Sequence, residues 1–479
     1  MKLSSFIKIV LIFLAICQFS CRKDFSTVNS NGNLSFSTDT LFLDTVFNDL
    51  STTTKILKVY NRSKNDLIIP KIKLENNNSK YRMNIDGIPG TEFENVLLLK
   101  KDSLFVFVEG TISATDTNAE MIYEDKILFD PNGNLQKVNL VTLVKDAIFL
   151  FDSNNNDFEI TETNFTNTKP YVIYGNAIVP ENGSLTIEEG STIHFSKNSS
   201  LTISQGATLN INGTLNDSIV FKSNNLNYEY DQIPGQWQGI NINNANVVNI
   251  NYLKILNPTT GLNINNNTNL INIKNTEIYN AAENGILTAN ANITGENIVI
   301  GQAGRSSLYL QGGDYTFKHS TFANYWNKSI KSESTVSLAN YFIDNTESEI
   351  KIPLNSANFI NCIIAGTKNS ELFLDKNEEE PIFNFNIKNS LLDLEKGDDL
   401  YNTDNSTYYT NALLNKKLDF RNTTINDLRI GLDNEGINQA DITTATEVPF
   451  DIIGTGRTTA PDIGAYQHID FKTLDTEDE

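Results

Sequence analysis

Apolar residues recur at every second position in short runs along most of this chain. Before residue 148 the runs are Leu41–Val46, Ile56–Tyr60, Leu67–Leu74, Tyr81–Ile85, Val96–Leu99, Leu104–Val108, Ile127–Phe129 and Val138–Val144. Strict alternation sends one set of side chains to a core and the other to water, which is the signature of half-buried β-strands. Asp86-Gly87 and Asp130-Pro-Asn-Gly133 fall between runs and read as hairpin turns. Seven or eight short strands over about 110 residues predict an immunoglobulin-like β-sandwich over residues 34–148.

Residues 149–169 are polar and read as a linker. Asp152, Asn154 and Asn156 have the spacing of the first three ligands of an EF-hand loop. Asp157 stands where that loop needs glycine, and Thr163 stands where it ends in glutamate, so no metal is expected there.

From residue 170 to 467 the alternation becomes periodic. Offset by sixteen, Ser184, Leu185, Thr186, Ile187, Gly190 and Thr192 recur as Ser200, Leu201, Thr202, Ile203, Gly206 and Thr208. Ala177 and Val179 lie sixteen before Ile193 and Phe195, which adds an earlier coil. Farther on, Ile255-Leu-Asn257, Ile278-Tyr-Asn280, Val299-Ile-Gly301 and Phe322-Ala-Asn324 recur at spacings of 23, 21 and 23. Short strands broken by Gly and Asn at a fixed period predict a solenoid whose coil lengthens along the chain. The leucine-rich frame is absent, and the period excludes a left-handed hexapeptide helix. The expected fold is all-β: an immunoglobulin-like sandwich, then a right-handed parallel β-helix of some twelve coils, about 60 Å long. Residues 468–479 read as an acidic tail.

The chain start adds an address. Lys2 and Lys8 flank an apolar run from Phe6 to Phe19, too short for a comfortable membrane span and suited to a signal peptide over residues 1–20. Ser20-Cys21 looks like a lipobox, although Gln18 replaces the usual aliphatic residue. Cys21 is the expected lipidated residue, with a tether over residues 21–33.

Formal net charge is −21, with no basic surface to neutralise phosphates, so a nucleic-acid partner is excluded. Beyond Cys17 and Cys21 the only thiol is Cys362, which reads as a buried apolar residue. No intrachain disulfide or cysteine metal site follows. His194, His319 and His468 are scattered without ligand spacing, so neither metal nor cofactor is expected. His194 alternates with Ile193 and Phe195 and is expected to point outward.

Candidate chemistry is sparse. Glu181, Glu188, Glu189 and Asp217 fall at expected corners and read as solvated. The densest cluster of functional side chains is Arg305, Asp314, Tyr315, His319, Tyr325 and Trp326, with Trp237 and Asp231 as neighbours. Asp314, His319 and Arg305 are weak catalytic candidates for acid–base work in a groove, which requires them to converge within a few Å. Trp237, Tyr315, Tyr325 and Trp326 are candidate sugar-binding rings.

Leu57-Lys-Val-Tyr-Asn-Arg-Ser63, Asp86-Gly-Ile-Pro-Gly90, Lys169–Gly175, Pro234-Gly-Gln-Trp237, His319–Trp326 and the ending Pro461-Asp-Ile-Gly-Ala-Tyr466 resemble a group of flavobacterial (Bacteroidota) lipoproteins with right-handed parallel β-helix repeats. The resemblance implies an outer-membrane lipoprotein, anchored by its N-terminal lipid on the surface or periplasmic face, and transfers no activity. More distantly, the fold is that of pectate lyases, polygalacturonases and phage tailspikes, which bind or cut polysaccharide. The expectation is an envelope lipoprotein whose β-helix presents a surface to a polysaccharide or to another envelope protein, with no catalysis assigned. The alternatives are a polysaccharide lyase or glycoside hydrolase, and a purely structural envelope protein.

Overall fold

A computed structural model describes residues 26–113, 120–131, 133–344 and 346–474. Cys21 and the expected signal peptide lie outside the described residues. The chain divides into two compact units, one ending at Lys145 and one beginning at Asp146.

In the first unit every predicted strand forms, and the strands make two sheets. One has six strands built around Asp66–Leu74, Glu120–Phe129 and Gln136–Lys145. The other has five, built around Lys55–Asn61, Ser103–Gly110 and Tyr81–Ile85. The inward residues of both sheets, among them Leu57, Val106, Ile69 and Leu140, share one core. Asp86 and Gly87 hold φ of +51° and +81° in the tight turn that pairs Ile85 with Ile88.

The second unit is a β-helix of three parallel ladders. The first ladder runs from Ile148–Leu150 through Tyr171–Ile173, Thr192–Phe195, Ile219–Ser223 and Leu253–Leu256. It continues through 277–279, 299–301, Thr321–Asn324, Ile363–Gly366 and Leu391–Leu392 to Leu413–Leu414. The second ladder runs from Asp157–Glu159 to Leu372–Asp375. The third runs from Asn164–Phe165 to Tyr409–Thr410. Residues 149–169 are therefore not a linker: they are the first coil, and its short strands pair directly with the next.

The register corrects the expected period. Leu185 pairs with Leu209, and Ile187 with Ile211. Leu201 pairs instead with Ala177 before it and Ile240 after it. The two copies of the sixteen-residue repeat thus lie on different faces. Here a coil has three faces of about eight residues, each a short strand plus a corner, so sixteen residues are two faces. Between Ile255 and Phe322 the coil does not lengthen; it grows only where connections are inserted, as between Phe322 and its partner Ile364. Ile255 pairs with Ile278, Ile278 with Ile300 and Ile300 with Phe322, at the same one-turn spacing.

Asparagine makes the corners. After the third ladder, Tyr252, Asn275, Asn297, His319, Asn361, Asn389 and Asn411 stack with φ between +45° and +57°. Asn tolerates this left-handed region better than other residues with a Cβ. Its amide also bonds along the stack: Asn275 Nδ2 donates to Asn251 Oδ1 at 2.8 Å and Asn297 Nδ2 to Asn275 Oδ1 at 2.9 Å. After the first ladder Asn257, Asn280 and Gln302 take the same left-handed backbone, and Asn280 Nδ2 donates to Asn257 Oδ1 at 3.0 Å. Inside, one continuous core runs from Ile160 to Tyr409.

The solenoid ends earlier than expected. After Leu414 the chain turns back and covers the outer side of the first ladder. Leu428, Ile452, Ile463 and Tyr466 pack there on Val299, Ala323, Ile363 and Leu391 in a second core. This is the place of the Pro461–Tyr466 ending. Gly464 holds φ of +105°, and a Cβ there would lie 2.7 Å from Ile363 Cδ1. Its N–H donates to Asn361 O at 2.9 Å. Beside it Arg457 is buried, its guanidinium donating to Asn297 Oδ1, Gly464 O and Ala465 O. Burial lowers the Arg457 pKa to about 10, opposed by Asp451 and Asp462. The expected acidic tail begins with a short helix, Phe471–Leu474.

Candidate functional site

The side chains expected to form one groove do not meet. Arg305 stands at the corner after the first ladder and pairs with Glu333 at 2.7 Å. Asp314 begins a rung of the third ladder and accepts from Asn355 Nδ2 at 3.0 Å. His319 is fully buried in the asparagine corner column, where Asn361 Nδ2 donates to its Nε2 at 2.8 Å. Burial, and then the Arg457 cation, push its pKa down to about 2. A buried imidazole that stays neutral at every ordinary pH holds a corner rather than moving a proton for a substrate.

Three of the four candidate rings also lie inside. Trp237 is wholly buried, stacked on Phe195 at 4.1 Å, with its Nε1 donating to Leu256 O. Tyr315 points into the core and shares a 2.7 Å hydrogen bond with Thr288. Trp326 is buried at the first-ladder corner and donates to Ser329 Oγ. Tyr325 is half-buried, edge-on to Phe420 in the second core. His194 points outward, as its alternation requires, but it is covered and bonds Ser223 O through Nδ1 at 2.9 Å. Cys362 is buried, and desolvation pushes its thiol up to about 12, so it is an inert core residue.

A different surface gathers functional side chains. On the second ladder Leu287, Tyr309, Ser337 and Phe373 face outward in one column, each paired in register with the next. Long connections border the last rungs of this column: residues 325–335 on one side, and on the other a hairpin of Tyr341–Ile343 with Glu349–Lys351. Beside the 325–335 connection lies a cavity of about 310 Å³ lined by Arg305, Tyr309, Glu333, Ser337, Lys368 and Phe373, with further serine groups. Phe373 is 48% exposed, a large ring open to water. Ser337 Oγ lies 3.1 Å from Ser306 Oγ, and Lys368 Nζ donates to Ser332 O at 2.7 Å.

The sequence held a signal for this column. Leu308-Tyr-Leu310, Val336-Ser-Leu338 and Leu372-Phe-Leu374 repeat one pattern, apolar in, variable out, apolar in. The inserted residues between these rungs broke the spacing that would have aligned them.

An ion pair fixes the wall of the cavity from behind. Lys331 and Glu371 are almost wholly buried and lie 2.6 Å apart. Glu371 also accepts from Thr335 N, Thr335 Oγ1 and Lys368 N. Lys331 also donates to Asn324 O and Thr335 Oγ1. Burial pulls the Lys331 pKa below its usual value, against the pull of Glu371. Every polar atom of the pair is engaged, so it is a structural pin beneath Lys368.

Residues 157–260 match the family model of a pectate-lyase-like beta helix domain. That match fits the ladders described above, and the β-helix is the right-handed parallel type. No curated protein matches the chain. Among solved structures, the catalytic domain of a GH87 alpha-1,3-glucanase in complex with tetrasaccharides is similar. The likeness covers 75% of this chain and 86% of that one at 11% identity and a TM-score of 0.17, too low to transfer any residue.

Proposed function

We propose that this chain is a cell-envelope lipoprotein whose β-helix holds a glycan against the outward face of its second ladder, without turning it over. The observation that carries the reading is the column Tyr309–Ser337–Phe373. Its two rings stand two rungs apart, about 10 Å, at the edge of the cavity. Rings at such spacing suit the apolar faces of every second sugar in an extended chain. The match to a pectate-lyase-like domain is in keeping with a carbohydrate ligand.

Turnover is disfavoured by the acids present. Glycoside hydrolysis uses two carboxyl groups flanking the scissile bond. Among the residues lining the cavity Glu333 is the one carboxylate, and Asp375, outside that lining, accepts from the Tyr341 hydroxyl at 2.6 Å. We expect oligosaccharide binding in a glycan panel, lost on Phe373→Ala with Tyr309→Ala, and no new reducing ends or unsaturated products. Steady product release by the intact protein would make it an enzyme instead.

The first unit serves, in this reading, as an immunoglobulin-like spacer, and Cys21 as the anchor. Labelling with a palmitate analogue is expected in the intact protein and absent in Cys21→Ala. Retained label in the variant would remove the anchor from the account.

A further inference from the structure

Each ring of the second-ladder column has a cation beside it in the same rung. Arg305 precedes Tyr309, and Lys368 precedes Phe373. The rung between them carries the opposite sign: Glu333 precedes Ser337. Going up the solenoid, the surface reads cation and ring, carboxylate and serine, cation and ring.

Both cations keep donors to spare. Arg305 gives its Nε to Glu333 Oε1, and among the described residues no acceptor meets its two Nη atoms. Lys368 gives Nζ to one carbonyl and pairs with no carboxylate among the described residues. The cavity therefore holds two cations against one carboxylate, on a chain whose net charge is −21. A rung advances about 4.8 Å, close to the advance of one sugar in an extended chain.

Resting on the glycan-binding reading, we infer that the ligand is a linear polysaccharide that lies along the solenoid axis and carries an anionic group on every second sugar. The charged sugars stack on Tyr309 and Phe373 and meet Arg305 and Lys368. The uncharged sugar between them crosses the middle rung, whose floor is the buried Ser337, and Glu333, held by Arg305 through one oxygen only, disfavours a second anion there. The anion is a carboxylate or a sulfate, since guanidinium and ammonium groups accept both.

Calorimetric titration of the intact protein in detergent tests this with four probes of equal length. Hyaluronan oligosaccharides carry a carboxylate on alternate sugars, and keratan sulfate oligosaccharides carry sulfate without carboxylate. Oligogalacturonate is charged on every sugar, and cello-oligosaccharides are neutral. Hyaluronan or keratan sulfate is expected to bind tightest, which also tells the two anions apart. Binding should weaken with salt, and Lys368→Gln or Arg305→Gln should each weaken it about tenfold. Glu333→Gln should narrow the gap between that probe and oligogalacturonate, a change that a general loss of folding does not produce. If cello-oligosaccharides or oligogalacturonate bind as tightly as the alternating polymers, this inference fails and the glycan-binding reading stands. If no probe and no member of a wider glycan panel binds, both fail.

Discussion

Glu371→Ala is expected to cost about 3–5 kcal/mol of stability, read as a lowered urea midpoint. Glu371 is fully buried and meets Lys331 at 2.6 Å. Removing the carboxylate leaves an ammonium in the interior with only Asn324 O and Thr335 Oγ1 as acceptors. It also strands the N–H groups of Thr335 and Lys368. Most of this loss is the penalty of an uncompensated buried charge, not the worth of the pair itself. Replacing both members by apolar residues, Lys331→Met with Glu371→Leu, should therefore recover a large part of it. A single variant as stable as the parent would show that water reaches Lys331, and that the cavity wall is not pinned as described.

His319→Asn should flatten the dependence of stability on acid. In the folded chain the imidazole is held at about 2, against an ordinary value near 6.5. Above pH 6.5 it is neutral in both states and adds no pH dependence. Below that, the unfolded chain takes up a proton that the folded chain refuses, so stability falls as pH falls. Between pH 7 and pH 5 the loss from this one group is about 2 kcal/mol. Asn is the residue that stands at the same corner in Asn275, Asn297 and Asn361, and it tolerates the left-handed backbone there. The variant should fold and lose less stability than the parent between those pH values, as measured by urea denaturation at each. Parallel losses in the two proteins would mean that His319 titrates freely.

The strands were legible because alternation is a local property. Leu57, Val106 and Ile69 announce their inward side within strands of seven to nine residues. The solenoid was legible for the same reason, but its coil was not. The sixteen-residue repeat compares one strand-and-corner unit with another two faces away, and sequence similarity cannot tell a face from a turn. Only the pairing of Leu185 with Leu209 separates them.

The site was less legible because it depends on depth. Trp237, Tyr315 and His319 are the residue types that bind sugars or move protons, yet here they fill a core and a corner. Tyr309 and Phe373 look ordinary in the sequence and become neighbours only when the rungs between them are stacked. The inserted 325–335 connection, which supplies Ser332, Glu333 and Ser334 to the cavity, and the hairpin after it are also what hid their spacing.

The central claim, a glycan held on the second-ladder face, is tested most directly by titrating the tightest-binding oligosaccharide of a glycan panel onto three forms of the intact protein. These are the parent, Phe373→Ala and Tyr228→Ala; Tyr228 is 80% exposed and lies outside the cavity. The account predicts binding about tenfold weaker for Phe373→Ala and unchanged for Tyr228→Ala. Parent affinity in Phe373→Ala, or an equal loss in both variants, would contradict it.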